Sequence, residues 1–293
     1  MSDSVFPRAF IIGANKSGTS TLCAILDAHP DVGMSDPKEP CTFSDSSKTG
    51  RLHVEYPAIF TAATPGQMRV EGSTTYSRWP YQPTKWHPTL QDPWPAISEH
   101  APGSKLIYLV RHPVDRIVSQ IKHRLREGNP SRLTMESILE QSTTYLDESR
   151  YRTQIEHIRR FVPEDRWFVE TFDRFNGERE TVVEEILEFL DLPSVLPASV
   201  MNLHENKAGV QHLLSKRVNS IPGSKALKTI FPKSVRRRFM GLFGRGPVER
   251  RLRQAISVAP MKPETRARLI EELEPDIQMI ESILGRDLPE WRK

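Results

Sequence analysis

The residues best placed for chemistry lie near the start of the chain, in Gly13-Ala14-Asn15-Lys16-Ser17-Gly18-Thr19-Ser20-Thr21. The apolar run Phe10-Ile11-Ile12 precedes them and Leu22-Cys23-Ala24-Ile25-Leu26 follows, an order that reads strand, loop, helix. A helix start offers backbone N–H groups without intrahelical partners and the positive end of a dipole. With Lys16 in the same loop, the expected chemistry is capture of a phosphate-like anion. The spacing of Gly13 and Gly18 nearly fits the phosphate-loop pattern G-x-x-x-x-G-K-[ST], and Ser20 falls where its hydroxyl belongs. Thr19 stands where that pattern has lysine, and the lysine has moved to Lys16, which counts against an ordinary ATPase or GTPase. The plainer alternative is a glycine-bounded strand-to-helix turn, as in any α/β protein.

A second element with the same logic is Lys105-Leu106-Ile107-Tyr108-Leu109-Val110-Arg111-His112-Pro113. The apolar run reads as a buried parallel strand, and Pro113 suits the first turn of the helix after it. Arg111 then falls at the strand's carboxyl end and Ser119 two turns into the helix. An arginine there can hold a phosphate through two parallel hydrogen bonds. Read alone, Arg111 with Asp115 is better taken as a surface ion pair. Two further stretches follow strand-like or turn-like runs: Pro37-Lys38-Glu39-Pro40-Cys41-Thr42-Phe43, and Val70-Glu71-Gly72-Ser73-Thr74-Thr75-Tyr76. Polar residues directly after strands are where open α/β sheets bind ligands.

Two anion-directed strand ends imply a ligand with two separated phosphate-like groups. At these residues the chain resembles the sulfotransferases that use 3′-phosphoadenosine 5′-phosphosulfate (PAPS). Gly13 to Ser20 resembles their loop for the 5′-phosphosulfate, which implies donor contacts from Lys16, Ser17, Gly18, Thr19, Ser20 and Thr21. Leu109 to Ser119 resembles their 3′-phosphate element, with Arg111 and Ser119 as ligands. Asn206-Lys207-Ala208-Gly209 looks like a late loop of the family, which implies 3′-phosphate contacts from Lys207 and Gly209.

The likeness is closer to the carbohydrate-type and bacterial branches, whose loop after the first helix has a glutamate before an aromatic residue. That implies Glu39 as catalytic base and Lys16 as the cation beside the leaving oxygen. Another branch uses a histidine after the second strand, and Val70 to Tyr76 contains none. Glu71 is the second candidate for the base, and His29, His87, His100 and His112 remain alternatives. Relatives often carry lysine where this chain has Gly72, so that contact is either missing or supplied by Lys38. The implied reaction moves a sulfuryl group from PAPS to a hydroxyl or amine of a carbohydrate, lipid-linked or small-molecule acceptor. The other product is PAP, adenosine 3′,5′-bisphosphate, and no metal is required. Two rival functions stay open: a P-loop kinase of a small hydroxyl compound, and a PAPS- or PAP-binding protein without catalysis.

The composition agrees with a water-soluble enzyme. In 293 residues, 37% are hydrophobic and 27% charged, which allows a substantial core. A net charge of +4 draws anions but is too small to indicate nucleic acid. Cys23 and Cys41 are too few for a disulfide framework, and Cys23 reads as a small apolar residue of the first helix. No apolar run reaches the about 18 residues of a membrane span, and no signal peptide pattern opens the chain, so the expected location is cytoplasmic. Between Lys225 and Arg253 stand ten basic residues and one acid, Glu249. That stretch reads as a solvated face, with an anionic acceptor or peripheral membrane contact as the alternatives.

The elements that position these residues alternate in type, which implies an α/β fold with a mainly parallel sheet. The expectation is one P-loop-type domain over 1–293, with an α/β core at 8–210 and a mainly helical C-terminal region at 211–293. Further strands are expected at Met68–Glu71 and Trp167–Glu170, and helices at 134–147, 150–162 and Glu178–Leu190. Residues 79–95 alternate prolines with Trp79, Tyr81, Trp86 and Trp94, so regular structure is not expected there. They form either a packed loop or an aromatic acceptor wall. The last helix spans Pro263–Leu284, with Leu288 and Trp291 folding the tail back.

Overall fold

Strand β1 (Ala9–Gly13) is buried along its whole length, and its side chains alternate between two apolar clusters. Phe10 and Ile12 face one side of the sheet and Ala9 and Ile11 the other, as the two-residue period of a strand requires. A strand buried on both faces belongs inside a parallel sheet covered by helices. The computed structural model describes residues 5–83, 87–127, 134–196, Val200 and 259–293. It places β1 at the centre of five parallel strands in the order β2-β3-β1-β4-β5. The others are β2 (Val32–Met34), β3 (Met68–Gly72), β4 (Lys105–Val110) and β5 (Trp167–Thr171).

One face is covered by α1 (Thr19–Leu26) and α9 (Arg179–Phe189) through Leu22, Ile25, Leu26, Val182, Val183, Ile186 and Leu187. Cys23 packs among them as a small buried residue. The other face carries α2 (Leu52–Ile59), α3 (Trp94–His100), α7 (Tyr151–Ile158) and, from the C-terminal end, α11 (Glu274–Leu284). A third cluster joins α4 (Pro113–Glu127) to α5 (Met135–Gln141) and α10 (Pro263–Glu272). Short helices α6 (Thr144–Asp147) and α8 (Phe172–Gly177) complete the α-helices among the described residues. The tail folds back as expected, with Leu288 and Trp291 buried.

Several expected elements are corrected by backbone chemistry. The helix expected at 134–147 is two, because Ser142 is extended and its Oγ accepts from the Thr144 amide at 3.3 Å. That expected at Pro263–Leu284 breaks at Leu273, two residues before Pro275, whose ring cannot continue a helix from upstream. The helix expected at 150–162 stops at Ile158. Strand β2 and helix α3 were not expected. β2 has only three residues, too few to show a period, and α3 begins inside the proline-rich stretch with Pro95 at its start.

A buried ionic network supports the strand ends. Glu148 takes Arg78 Nη2 at 2.5 Å and Gln120 Nε2 at 2.7 Å, while Arg116 donates to Gln120, Ser149 and the Tyr145 carbonyl. Burial alone would raise the Glu148 carboxyl, but Arg78 and Arg116 outweigh it and hold it below the usual range. Glu148→Gln would leave two buried guanidinium groups without a counter-charge. We expect it to destabilise the fold by about 3–5 kcal/mol, read from urea unfolding midpoints.

Asp276 of α11 accepts the Arg152 amide at 2.8 Å at the start of α7. Burial pushes its carboxyl from 3.8 to about 6. Because the folded value is the higher one, protonation favours the folded state. Its stabilising contribution is complete below about pH 4 and disappears as pH rises through about 6. Asp276→Asn keeps the acceptor oxygen and removes the charge. It is expected to flatten this dependence and add about 1–3 kcal/mol at pH 8, measured by unfolding across pH.

Candidate active site

The loop between β1 and α1 has the backbone that an anion cradle needs. Gly18 caps α1 at φ 88°, a left-handed conformation, and a Cβ there would come 3.0 Å from the Phe172 ring. Lys16 also sits at positive φ, 72°, which is uncommon for a residue with a Cβ and persists only where surroundings impose it. Ser17 donates its amide to Ala14, and those of Thr21 and Leu22 both go to Gly18. The amides of Gly18, Thr19 and Ser20 have no intramolecular acceptor among the described residues. Ser17 Oγ is fully buried and also unpartnered among them. Unspent donors beside a lysine fit a phosphate-like group.

Arg111 enters the same place from β4. Its Nη1 donates to the Lys16 carbonyl at 3.2 Å, and its guanidinium lies 4.9 Å from the Phe172 ring centre. Tyr151 clamps its backbone, accepting from the Arg111 amide at 3.2 Å and donating to its carbonyl at 2.7 Å. Most of its guanidinium N–H groups stay uncommitted among the described residues. The surface pair with Asp115 does not form, because Asp115 is engaged by Arg266 of α10 at 2.7 Å. Ser119 is half-buried on α4, one turn beyond Asp115. Chain connections leave β1 toward β2 and β3 on one side and β4 and β5 on the other. The two loops therefore flank the switch point where open parallel sheets bind ligands.

Glu39 lies after β2, the edge strand, which is separated from β1 by β3. Its amide donates to the Gly72 carbonyl at 2.9 Å, and its carboxylate is solvent-accessible and paired with Lys38 Nζ at 2.7 Å. Its φ is 57° and that of Cys41 is 54°. The charges of Lys38 and Glu39 are both felt at Cys23 of α1. A Cβ on Gly72 would sit 2.6 Å from Cys23 Sγ, so β3 approaches α1 too closely there for a lysine.

Glu71 is wholly buried beneath this loop, with the hydroxyls of Ser73, Tyr76 and Tyr56 on its carboxylate. His29 is buried and bonded to Pro193, and His112 Nδ1 accepts from the Val114 amide at the start of α4. His100 packs beside Phe6. Burial, then the charges of Arg78 and Arg124, hold His87 below its usual pKa, against smaller opposing pulls from Glu148 and Glu39.

Of the aromatic stretch, Trp94 is buried in the core and Trp79 stacks on His157 with centroids 3.9 Å apart. Trp86, Lys207, Gly209 and the basic residues 225–253 lie outside the described residues. The sequence reading missed Phe172 and Tyr151, which hold Arg111. Phe172 directly follows β5, so the strand-end rule that singled out Arg111 would have found it. Among the described residues, no group of three or more His, Cys, Asp or Glu could hold a metal, and no helix is long and apolar enough to cross a membrane.

Three comparisons bear on this arrangement. A protein-family model described as "Sulfotransferase family" matches residues 7–196. Human heparan sulfate glucosamine 3-O-sulfotransferase 6 is 28% identical over 198 residues, 65% of this chain and 54% of that protein. A Caenorhabditis elegans bifunctional heparan sulfate N-deacetylase/N-sulfotransferase 1 is 22% identical over 253 residues, 81% of this chain and 28% of that protein. The chain thus spans about half the length of the first relative and less of the second. The crystal structure of a sulfotransferase from Alicyclobacillus acidocaldarius superposes with a TM-score of 0.63 at 19% identity. The match covers 98% of this chain and 99% of that one, a likeness of fold. The family match runs from β1 through α9 and takes in both anion-directed strand ends. This chain therefore belongs to the sulfotransferase family.

Proposed function

We propose that the protein transfers a sulfuryl group from PAPS to a hydroxyl or amine of an acceptor. The observation that carries the reading is the meeting of Arg111 with the Lys16 carbonyl across the sheet's switch point. It brings the arginine after β4 to the loop after β1, which supports a ligand with two separate anionic groups, such as a nucleotide phosphorylated at both ends of its ribose. The donor supplies a sulfuryl group whose bond to a phosphate oxygen breaks as sulfur bonds to the acceptor.

In this reading the amides of Gly18, Thr19 and Ser20 and the Ser17 hydroxyl hold the 5′ end, the amides of Ser17 and Thr21 being spent within the loop, while Arg111 and Ser119 hold the 3′-phosphate. Lys207 and Gly209 add contacts to it. Lys16 balances charge on the leaving oxygen, and Glu39, open to solvent and paired with Lys38, accepts the acceptor's proton. No protein group is covalently changed, so alignment and charge do the work. The names of the relatives make glucosamine-containing oligosaccharides the first acceptors to try.

The test is an acceptor panel with sulfur-labelled PAPS, products read by mass spectrometry, with and without a divalent-metal chelator. We expect labelled product in both conditions. Protection from thermal unfolding by ATP–Mg²⁺ but not by PAP would turn the assignment to a kinase. Tight PAP binding with no transfer to any acceptor would reduce it to a binding protein.

A further inference from the structure

The proposed chemistry leaves unused a buried carboxylate that three hydroxyls share, Glu71. Glu71 is 0% exposed at the end of β3 and cannot touch an acceptor. Its Oε1 accepts from Ser73 at 2.6 Å and from Tyr76 at 2.5 Å, and its Oε2 accepts from Tyr56 at 2.7 Å. A hydroxyl has a single proton. Ser73 and Tyr76 direct theirs to Glu71, so their lone pairs must face elsewhere. They face the loop that carries Glu39. Ser73 Oγ accepts the Cys41 amide at 3.0 Å, and the Tyr76 oxygen accepts the Phe43 amide at 3.1 Å. The Glu39 amide on Gly72 and a 2.7 Å hydroxyl pair between Ser44 and Thr75 continue the same seam.

We propose that Glu71 is a positioning residue that orients the Ser73 and Tyr76 hydroxyls, thereby fixing the 39–43 loop and the carboxylate of Glu39. The inference rests on Glu39 being the base. A carboxylate suits the role because it accepts only, so it forces every surrounding hydroxyl to present lone pairs outward. Hydrogen bonds to an ionised acceptor are also the stronger kind, and in a buried chain each bond polarises the next. Burial raises the Glu71 carboxyl, and the three hydroxyls oppose that rise. The seam has something to hold, since Glu39 and Cys41 both keep left-handed backbones, at φ 57° and 54°.

Cys41 reports on the loop without any acceptor. It is half-buried, whereas Cys23 is buried in the core and serves as internal reference. In Glu71→Gln, Ser73→Ala and Tyr76→Phe, iodoacetamide labelling of Cys41 is expected to rise about fivefold or more, as local opening frees it. Cys23 labelling and PAP affinity should stay within about twofold of the parent. Ser73→Thr keeps the hydroxyl on an extended backbone and should restore protection.

Unchanged Cys41 labelling in Glu71→Gln and Tyr76→Phe would overturn the proposal, as would a parallel rise at Cys23, which marks general loosening. Should Glu71→Gln fail to fold, Tyr76→Phe and the Ser73 pair still decide it. Transfer assays address the reading beneath. In the parent the three variants should lower kcat about tenfold with KM for PAPS unchanged, and in a Glu39→Gln background they should add less than about twofold. Undiminished transfer by Glu39→Gln would remove the base assignment and leave the labelling result standing.

Discussion

Lys16→Ala is expected to lower sulfuryl transfer from PAPS by about 10²–10³-fold, the loss typical when a preorganised group facing developing charge is removed. The effect should fall on kcat, because the charge Lys16 balances grows only as the leaving oxygen departs. PAP binding should weaken far less, since the loop amides, Ser17 and Arg111 remain. Alanine can hold the left-handed backbone at position 16 as well as lysine does, and the carbonyl that anchors Arg111 is retained. Geometry is thus kept while the ammonium is lost. Initial rates with labelled PAPS and PAP titration by calorimetry check both halves. Transfer at the parental rate would remove Lys16 from the chemistry, and with it the reason for reading the displaced lysine as meaningful.

Glu39→Gln comes second, with an expected loss of about 10²–10⁴-fold in kcat, the range for removing a general base. The substitution preserves shape and leaves the Glu39 amide on Gly72. It also breaks the ion pair with Lys38, but both side chains are a third or more exposed, so stability should change by no more than about 1 kcal/mol. A stable, PAP-binding, transfer-deficient variant is the outcome the assignment demands. Glu71→Gln should not mimic it at equal size, because Glu71 acts only through the loop.

The opening strand, its loop and α1 were legible because each is a local pattern: an apolar run, glycines at a fixed interval, then a helical stripe. β4, Arg111 and α4 were legible for the same reason, and so were β5 and α9. β2 was not, since three residues carry no period, and α3 was hidden by prolines that suit its first turn. The C-terminal stripe was seen as one helix, although Pro275 marks where it divides.

Residue type and spacing were enough to expect anion binding at two strand ends of this chain, because donors at a helix start and an arginine after a strand are properties of short segments. They were not enough to say that Arg111 reaches the carbonyl of Lys16, a contact across 95 residues made by the sheet order. Nor could they tell how exposed Glu39, in a loop, and Glu71, at the end of a strand, would be. Burial separates them. Packing against Tyr56, Ser73 and Tyr76 puts Glu71 out of reach of solvent, while the left-handed turn at Glu39 keeps its carboxylate at the surface. Exposure depends on what the rest of the chain lays over a residue, and that is decided only when the sheet and its covering helices assemble.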